Sequence, residues 1–304
     1  MAQAPILPVG QIESSKMPES TLPDFDKLWN YSDPAGTEAQ YRAVFDDVQG
    51  NADDGYLAEL ETQIARTLGL QQKFDEAHAQ LDKTALRPAA GMGRAKVRYL
   101  LERGRVFNSS KKKDVAGPLF IEAWNVGQNI GEDGLAVDAA HMMAIVESGE
   151  SSLQWNSAAL KLAESSEQPA ARKWRKSLLN NIGWTYFGAG NYPQALTHFE
   201  RCRDCSIEMG DTESERIANW SIAKTLRLLG RVDEALAIQK QIETILPEPG
   251  GFNCEELGEC YLALGSESEA ARYFGVAYDL LSQDIWLSRD EPMRLERMRQ
   301  LSGR

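Results

Sequence analysis

The chain has 304 residues, enough for one or two globular domains or for one elongated array of repeats. Its 45 acidic and 33 basic residues give a formal net charge of −12, which disfavours nucleic-acid binding as the main function. No apolar run approaches the roughly 20 residues that span a bilayer, and the N-terminus lacks the basic start and long apolar core of a secretory signal. We therefore expect a cytoplasmic protein that binds neither nucleic acid nor membrane.

Residues 1–36 form a proline-rich leader that cannot be a domain, because its five prolines interrupt any helix. Phe25, Leu28, Trp29 and Tyr31 make its second half too apolar for a purely solvated tail. Two interpretations stay open, a disordered leader or a strap packed on the first helices. An amphipathic helix follows from Thr37 and is expected to be the N-terminal cap of the part that spans 37–284.

From residue 57 to residue 282 the apolar spacing predicts six helix-turn-helix units. The third is the least regular, because Trp155 stands where a small residue is expected. Residues 285–304, with a helix start at Asp290-Glu291-Pro292, are predicted to form a C-terminal capping helix and tail. The predicted units span about 58–91, 97–130, 136–169, 176–215, 216–249 and 251–284.

The fourth and sixth units carry the same ordered set of residues. In the fourth these are Ile182, Gly183, Tyr186, Gly190, Ala195 and Phe199, and in the sixth Leu257, Gly258, Tyr261, Gly265, Ala270 and Phe274. This set resembles the tetratricopeptide repeat family, and the resemblance covers about three quarters of the chain. It implies an all-α fold, a right-handed α-solenoid (superhelix) of about six helix-turn-helix repeats with capping helices at both ends. It also implies that first helices line a concave groove, and that the groove or the edges of the array bind peptides or proteins.

Small residues are expected to let the two helices of a unit approach closely. We expect Gly183 and Gly258 on first helices to face Ala195 and Ala270 on second helices. The phenylalanines that close each set are expected to reach into the interface with the following unit. All of these residues are structural.

No catalytic constellation is found in the sequence. It contains no phosphate-binding G-x-x-x-x-G-K-[ST] loop, no H-E-x-x-H helix and no G-x-S-x-G elbow. Cys202 and Cys205 form one C-x-x-C pair, which invites a zinc or redox interpretation, but no second pair accompanies it. We favour reduced structural thiols and predict no catalytic residue, no metal site, no cofactor and no enzyme activity. An enzyme built on an α-solenoid is the alternative from another class.

Non-consensus positions on the first helices are predicted to line the groove. The aromatic members are not required by the repeat pattern, and the basic members stand out in an acidic chain. Aromatic anchors beside cations suit a peptide that is acidic or that ends in a C-terminal carboxylate, and asparagines suit its backbone. Under the alternative, the tryptophans pack on neighbouring helices and the cations pair with nearby carboxylates. The predicted partner-binding residues are Arg98, Arg105, Asn180, Asn181, Trp184, Phe187, Trp220, Lys224 and Arg227.

The sequence therefore predicts an interaction scaffold or adaptor that binds a partner protein or peptide in the groove. A regulatory sensor that responds to a peptide or small ligand is one alternative. A structural protein that self-associates through its terminal units is another, because Trp286 and Leu287 lie near the end of the chain.

Overall fold

The computed structural model describes residues 22–304, and in this part of the chain the secondary structure consists of helices without strands. The predictions made for residues 1–21 lie outside the described residues. The helices fall into two compact units, of which the first ends at Glu147 and the second begins at Ser148.

The first unit contains two helical hairpins between single helices. Helix α2 packs on α3, α4 packs on α5, and the α2 and α4 helices are neighbours. Helix α1 packs on α2, and α6 packs on α5. The helices are α1 (Pro34–Val48), α2 (Asp54–Leu70), α3 (Phe74–Thr84), α4 (Gly93–Ser109), α5 (Lys113–Asn129) and α6 (Asp133–Val146).

The segment before α1 packs against the first helices. Phe25, within a short 3-10 helix, is buried in a cluster with Tyr41 of α1, and the Tyr41 hydroxyl donates a hydrogen bond to the Phe25 carbonyl at 3.1 Å. The Trp29 indole N–H donates to the side-chain oxygen of Gln63 on α2 at 3.2 Å. These contacts explain why the later part of the leader is apolar.

The second unit contains three helical hairpins in series, which correspond to predicted units four, five and six, although α11 begins at Thr212, inside the range predicted for unit four. Helix α7 packs on α9, and α16 packs on α14 at the other end. The helices are α7 (Gly149–Ser165), α8 (Pro169–Arg172), α9 (Arg175–Gly188), α10 (Tyr192–Glu208), α11 (Thr212–Leu228), α12 (Val232–Ile245), α13 (Gly251–Ala263), α14 (Glu267–Leu281), α15 (Ile285–Asp290) and α16 (Pro292–Leu301).

The third predicted repeat differs from a simple hairpin. Its two helices, α6 and α7, belong to different compact units. The break follows Val146: Ser148 is extended, with φ −144° and ψ 164°, and Gly149 takes a φ of 56°. These residues mark the point at which the chain passes from the first compact unit to the second.

The turns of hairpins four to six require glycine. Gly190, Gly230 and Gly265 have φ values of 74°, 80° and 74°, which L side chains rarely adopt. In the fourth repeat, the next amide, that of Asn191, donates to the carbonyl of Tyr186 at 2.9 Å. This is the bond pattern by which a left-handed glycine ends a helix.

In the fourth and sixth repeats the two helices approach through a glycine and a phenylalanine. A Cβ added to Gly183 would lie 2.5 Å from a ring carbon of Phe199, and one added to Gly258 would lie 3.0 Å from the ring of Phe274. The expectation that these glycines face alanines is therefore corrected, because the nearest atoms belong to the phenylalanine of the same hairpin. The ring occupies the space that a larger first-helix residue would need.

Candidate functional site

Arg98 of α4 lies in a buried ion pair. The residue is 6% exposed, and its guanidinium contacts Glu59 of α2 (2.7 Å) and Asp26 before α1 (2.5 Å). Its Cζ also lies 5.4 Å from the centre of the Phe25 ring. The structure thus places this predicted groove residue between α4, α2 and the segment before α1, rather than on a surface open to a ligand.

Arg105 of α4 is also engaged by carboxylates. Its guanidinium contacts Glu102 of the same helix (2.7 Å) and Asp138 of α6 (2.5 Å), and Glu102 also contacts Arg66 of α2 (3.2 Å). Burial alone would raise the pKa of Asp138, but the charges of Arg105 and Arg66 lower it below its ordinary value. Ion pairs therefore connect α2 to α4 and α4 to α6.

Lys224 and Arg227 of α11 share one buried carboxylate. Glu256 of α13 is 1% exposed, and it lies 2.5 Å from the Lys224 Nζ and 3.0 Å from the Arg227 Nε. Burial alone would raise the pKa of Glu256, but the two cations lower it. Both predicted ligand-binding cations thus hold successive first helices together.

The predicted aromatic residues form a partly exposed surface. The Trp184 ring of α9 lies 6.0 Å from the Trp220 ring of α11, and the Trp220 ring lies 6.3 Å from the Phe252 ring of α13. Two further rings extend this group in repeat four. The Phe187 ring centre lies 5.0 Å from that of Trp184, and the Tyr192 ring centre lies 5.4 Å from that of Phe187. We call these five residues the aromatic surface.

Trp184 and Trp220 are each anchored, so the aromatic surface is held in place. Trp184 packs edge-on against the buried ring of Phe199 at 5.2 Å. The Trp220 indole N–H donates to the Phe252 carbonyl at 3.1 Å. The expectation that Trp184 packs on a neighbouring helix and the expectation that it contributes to a surface are both compatible with this placement.

A cavity of about 480 Å³ opens beside Trp220, between α11 and the start of α13. Ile217 and Phe252 are 43% and 44% exposed at its edge. Sequence reasoning missed Leu246 and the Gly250-Gly251 pair, which complete one wall. The sequence feature that could have indicated them is the segment Leu246-Pro247-Glu248-Pro249-Gly250-Gly251. Its two prolines restrict the backbone, and its two glycines present backbone without side chains. The residues that line the cavity are Arg216, Ile217, Trp220, Leu246, Gly250, Gly251, Phe252 and Asn253.

Asn180 and Asn181 lie on α9, one turn before the aromatic surface. Asn180 precedes Trp184 by four residues, so the two side chains share a helix face. Within residues 22–304, the Asn180 side-chain oxygen is buried and has no hydrogen-bond partner. The Asn181 backbone carbonyl accepts the hydroxyl of Thr185 at 2.9 Å.

The C-x-x-C pair on α10 is buried. The Cys202 thiol donates to the Lys176 carbonyl at 3.2 Å, and burial raises its pKa to about 11. Protonated thiols are poor nucleophiles and poor metal ligands. In the part of the chain that the structure describes, no group of three or more His, Cys, Asp or Glu side chains is placed to hold a metal ion.

The two apolar residues near the end of the chain lie in different environments. Leu287 of α15 is buried in the cluster beneath the last hairpin, whereas Trp286 is 67% exposed with the Arg289 guanidinium 4.4 Å from its ring centre. Only Trp286 is therefore accessible for the self-association that the sequence suggested. No helix within residues 22–304 has both the length and the hydropathy to cross a membrane.

The hairpins joined in series, with their ion-paired first helices, define an α-helical repeat protein. Residues 174–248 match the family model of the tetratricopeptide repeat, and no protein with a curated description matches the chain. The predicted resemblance to the tetratricopeptide repeat is thus confirmed for residues 174–248.

Solved structures share this fold at low sequence identity. RapI in its apo form has a TM-score of 0.69 at 12% identity, with 90% of this chain and 83% of that chain covered. The apo form of the quorum sensor NprR from B. thuringiensis has a TM-score of 0.60 at 14% identity, with 91% and 79% covered. A signal transduction ATPase with a tetratricopeptide repeat sensor, from Pyrococcus horikoshii, has a TM-score of 0.67 at 12% identity.

The coverage differs among these structures. The match to the ATPase covers 91% of this chain but 44% of that chain, so this chain spans less than half of it. These likenesses confirm the predicted all-α helical-repeat fold.

Proposed function

We propose that the protein is a non-catalytic interaction module that binds a peptide segment of a partner at the aromatic surface. The observation that carries this proposal is the cavity of about 480 Å³ lined by the rings of Trp220 and Phe252 from two successive first helices, with the Trp184 ring 6.0 Å from that of Trp220. Large aromatic side chains held rigidly beside an apolar pocket are the usual anchors of protein interfaces. A bound apolar side chain would remove Ile217 and Phe252 from water.

The polar groups near the aromatic surface do not add support for a peptide ligand. The Asn180 side-chain oxygen has no partner within residues 22–304, but it is buried and out of reach of a surface-bound peptide. The preference for an acidic peptide or a C-terminal carboxylate loses its support, because it rested on cations that already hold carboxylates. A cytoplasmic location and a scaffold role stay predictions.

A peptide sensor is the second candidate. It is favoured because two structures of similar fold, the repeat region of the Pyrococcus horikoshii ATPase and NprR, are sensors. In a sensor the same surface would bind the ligand, and the bound state would differ in conformation from the free state.

Affinity capture from the native organism, followed by mass spectrometry, tests the proposal. We expect wild-type protein to retain a partner that Ile217→Lys loses, because a charge at the cavity edge would have to be buried on binding. Ile285→Lys is the matched control, since Ile285 is 80% exposed on α15. Equal capture by all three proteins would contradict the proposal.

A further inference from the structure

We propose that the segment bound at the aromatic surface carries an apolar side chain and a cationic side chain two residues apart on an extended backbone. This inference rests on the proposed function and specifies the chemistry of its ligand. The apolar side chain occupies the cavity beside Trp220, and the cation lies on the ring of Trp184.

The cavity fixes the apolar half of this pattern. Most of its wall is apolar, formed by the side chains of Ile217, Trp220, Leu246 and Phe252 with glycine backbone, and Arg216 and Asn253 supply the polar remainder. The Trp220 indole N–H already donates to the Phe252 carbonyl, so the ring offers its apolar surface rather than a donor. A leucine-sized or aromatic side chain matches such a lining, and a charged one would lose its hydration there.

The rings differ in whether the protein already supplies a cation. The Lys224 Nζ lies 5.1 Å from the Trp220 ring centre, and the Arg294 Cζ lies 5.5 Å from that of Phe252. Within residues 22–304, no cation lies over the ring of Trp184. The rings of Phe187 and Tyr192 also have none among the described residues, but tryptophan is the aromatic side chain that attracts cations most strongly, so Trp184 is the strongest of the three for receiving one from a ligand.

The surrounding charges favour a cation over a carboxylate. The basic residues around the cavity and the rings are occupied: Lys224 and Arg227 by Glu256, and Arg216 by Glu213. The second unit as a whole contains 23 acidic and 18 basic residues, a formal charge of −5. An acidic peptide would meet carboxylates that outnumber the cations, whereas a basic one would be attracted.

Two carboxylates near the cavity have no ion pair within the described residues. These are Glu215 on α11 and Glu248 in the connection between α12 and α13. They lie next in sequence to Arg216 or within two residues of Leu246 and Gly250, which line the cavity, and they add to the net negative charge of this unit. The negative charge of this unit and the ring of Trp184 therefore both favour a positively charged ligand side chain.

The ring spacing sets the separation of the two side chains. The Trp184 and Trp220 ring centres are 6.0 Å apart. Two residues of extended chain span about 7 Å, and side chains two apart point to the same side. Adjacent residues would point to opposite sides, so the spacing of two is the shortest that serves both places.

A defined peptide library tests this inference with the full chain. Fluorescein-labelled nonapeptides, acetylated and amidated, carry leucine at the centre and Arg, Ser or Glu two residues before or after it, with mixed residues elsewhere. Binding is followed by fluorescence anisotropy. We expect the Arg set in one of the two directions to bind about fivefold or more tightly than the Ser set, and the Glu set to bind more weakly than the Ser set.

Two tryptophan variants assign the preference to its residue. Trp184→Leu should abolish the advantage of Arg over Ser, measured as the ratio of the two affinities for the same variant, because leucine keeps an apolar surface without a π face. Trp286→Leu, at an exposed tryptophan of α15, should keep the advantage.

The outcomes separate the inference from the function on which it rests. Tighter binding of the Glu set, or an Arg preference that survives Trp184→Leu, overturns the inference and leaves peptide binding intact. Absence of binding by every set overturns the proposed function and the inference together.

Discussion

Replacing Glu256 by glutamine should destabilise the second unit strongly, because one buried carboxylate serves two cations. Glu256 is 1% exposed, and Lys224 and Arg227 bind it from the preceding first helix. Removing one member of a fully buried ion pair costs roughly 3–5 kcal/mol, because the other charge stays buried without a counter-charge. The two cations are 19% and 15% exposed, so water recovers part of this loss. We expect a decrease of about 2–3 kcal/mol in the free energy of unfolding.

Urea unfolding followed by circular dichroism measures this decrease without the screening that guanidinium chloride would add. The matched control is Glu213→Gln on α11, whose ion pair with Arg216 is largely exposed: the Glu213 side chain is 65% exposed. Exposed pairs contribute about 0–1 kcal/mol, so the control should change stability little. Similar losses in the two variants would refute the argument that Lys224 and Arg227 are structural cations.

Three further predictions follow from the same contacts. The pKa of Glu256 is lowered by the two cations, so the carboxylate contributes fully to the free energy of unfolding above the ordinary pKa of 4.5, and this contribution is lost as the pH falls through the lower folded pKa. The difference in stability between wild type and Glu256→Gln should therefore shrink when unfolding is measured below pH 4.5. Gly183→Ala should cost about 1–3 kcal/mol in thermal or urea unfolding because its Cβ would meet the Phe199 ring, whereas Gly188→Ala, with open space around it, should be neutral or slightly stabilising. Lys224→Glu should unfold at lower urea than Lys224→Met, since only the glutamate puts a like charge beside the buried carboxylate.

The strongest part of the sequence prediction concerned repeats four to six. There the pattern is local: each of the three hairpins has a glycine in a left-handed turn, and the fourth and sixth also have a glycine opposite a phenylalanine. The turn at Gly190 and the contact of Gly183 with Phe199 show why the pattern can be read from the chain. The partner of that glycine was misassigned, because spacing fixes the face of a helix but not which side chain fills the gap.

The ion pairs were harder to foresee, although they leave a signal. Lys224 and Glu256 lie 32 residues apart, and Arg105 and Asp138 lie 33 apart, which is about one repeat. Residues one repeat apart on first helices are neighbours in space, so opposite charges at that separation predict a pair between helices. When each first helix is considered alone, the same cations have no visible counter-charge, and the sequence therefore predicts that they bind a ligand.

The division of the third repeat could not be inferred from periodicity. Helices α6 and α7 both carry helical patterns, but they belong to different compact units. Similarly, the cavity depends on where the connection from Leu246 to Gly251 runs, and apolar spacing does not predict the path of a loop. These features required coordinates.

The central claim is that the aromatic surface binds a peptide through the cavity beside Trp220. A crystal structure of the full chain with the tightest peptide of the library tests it most directly. We predict the central leucine in the cavity between Trp220 and Phe252, with the arginine over the ring of Trp184. A peptide bound elsewhere on the protein, with the cavity empty, would contradict the account.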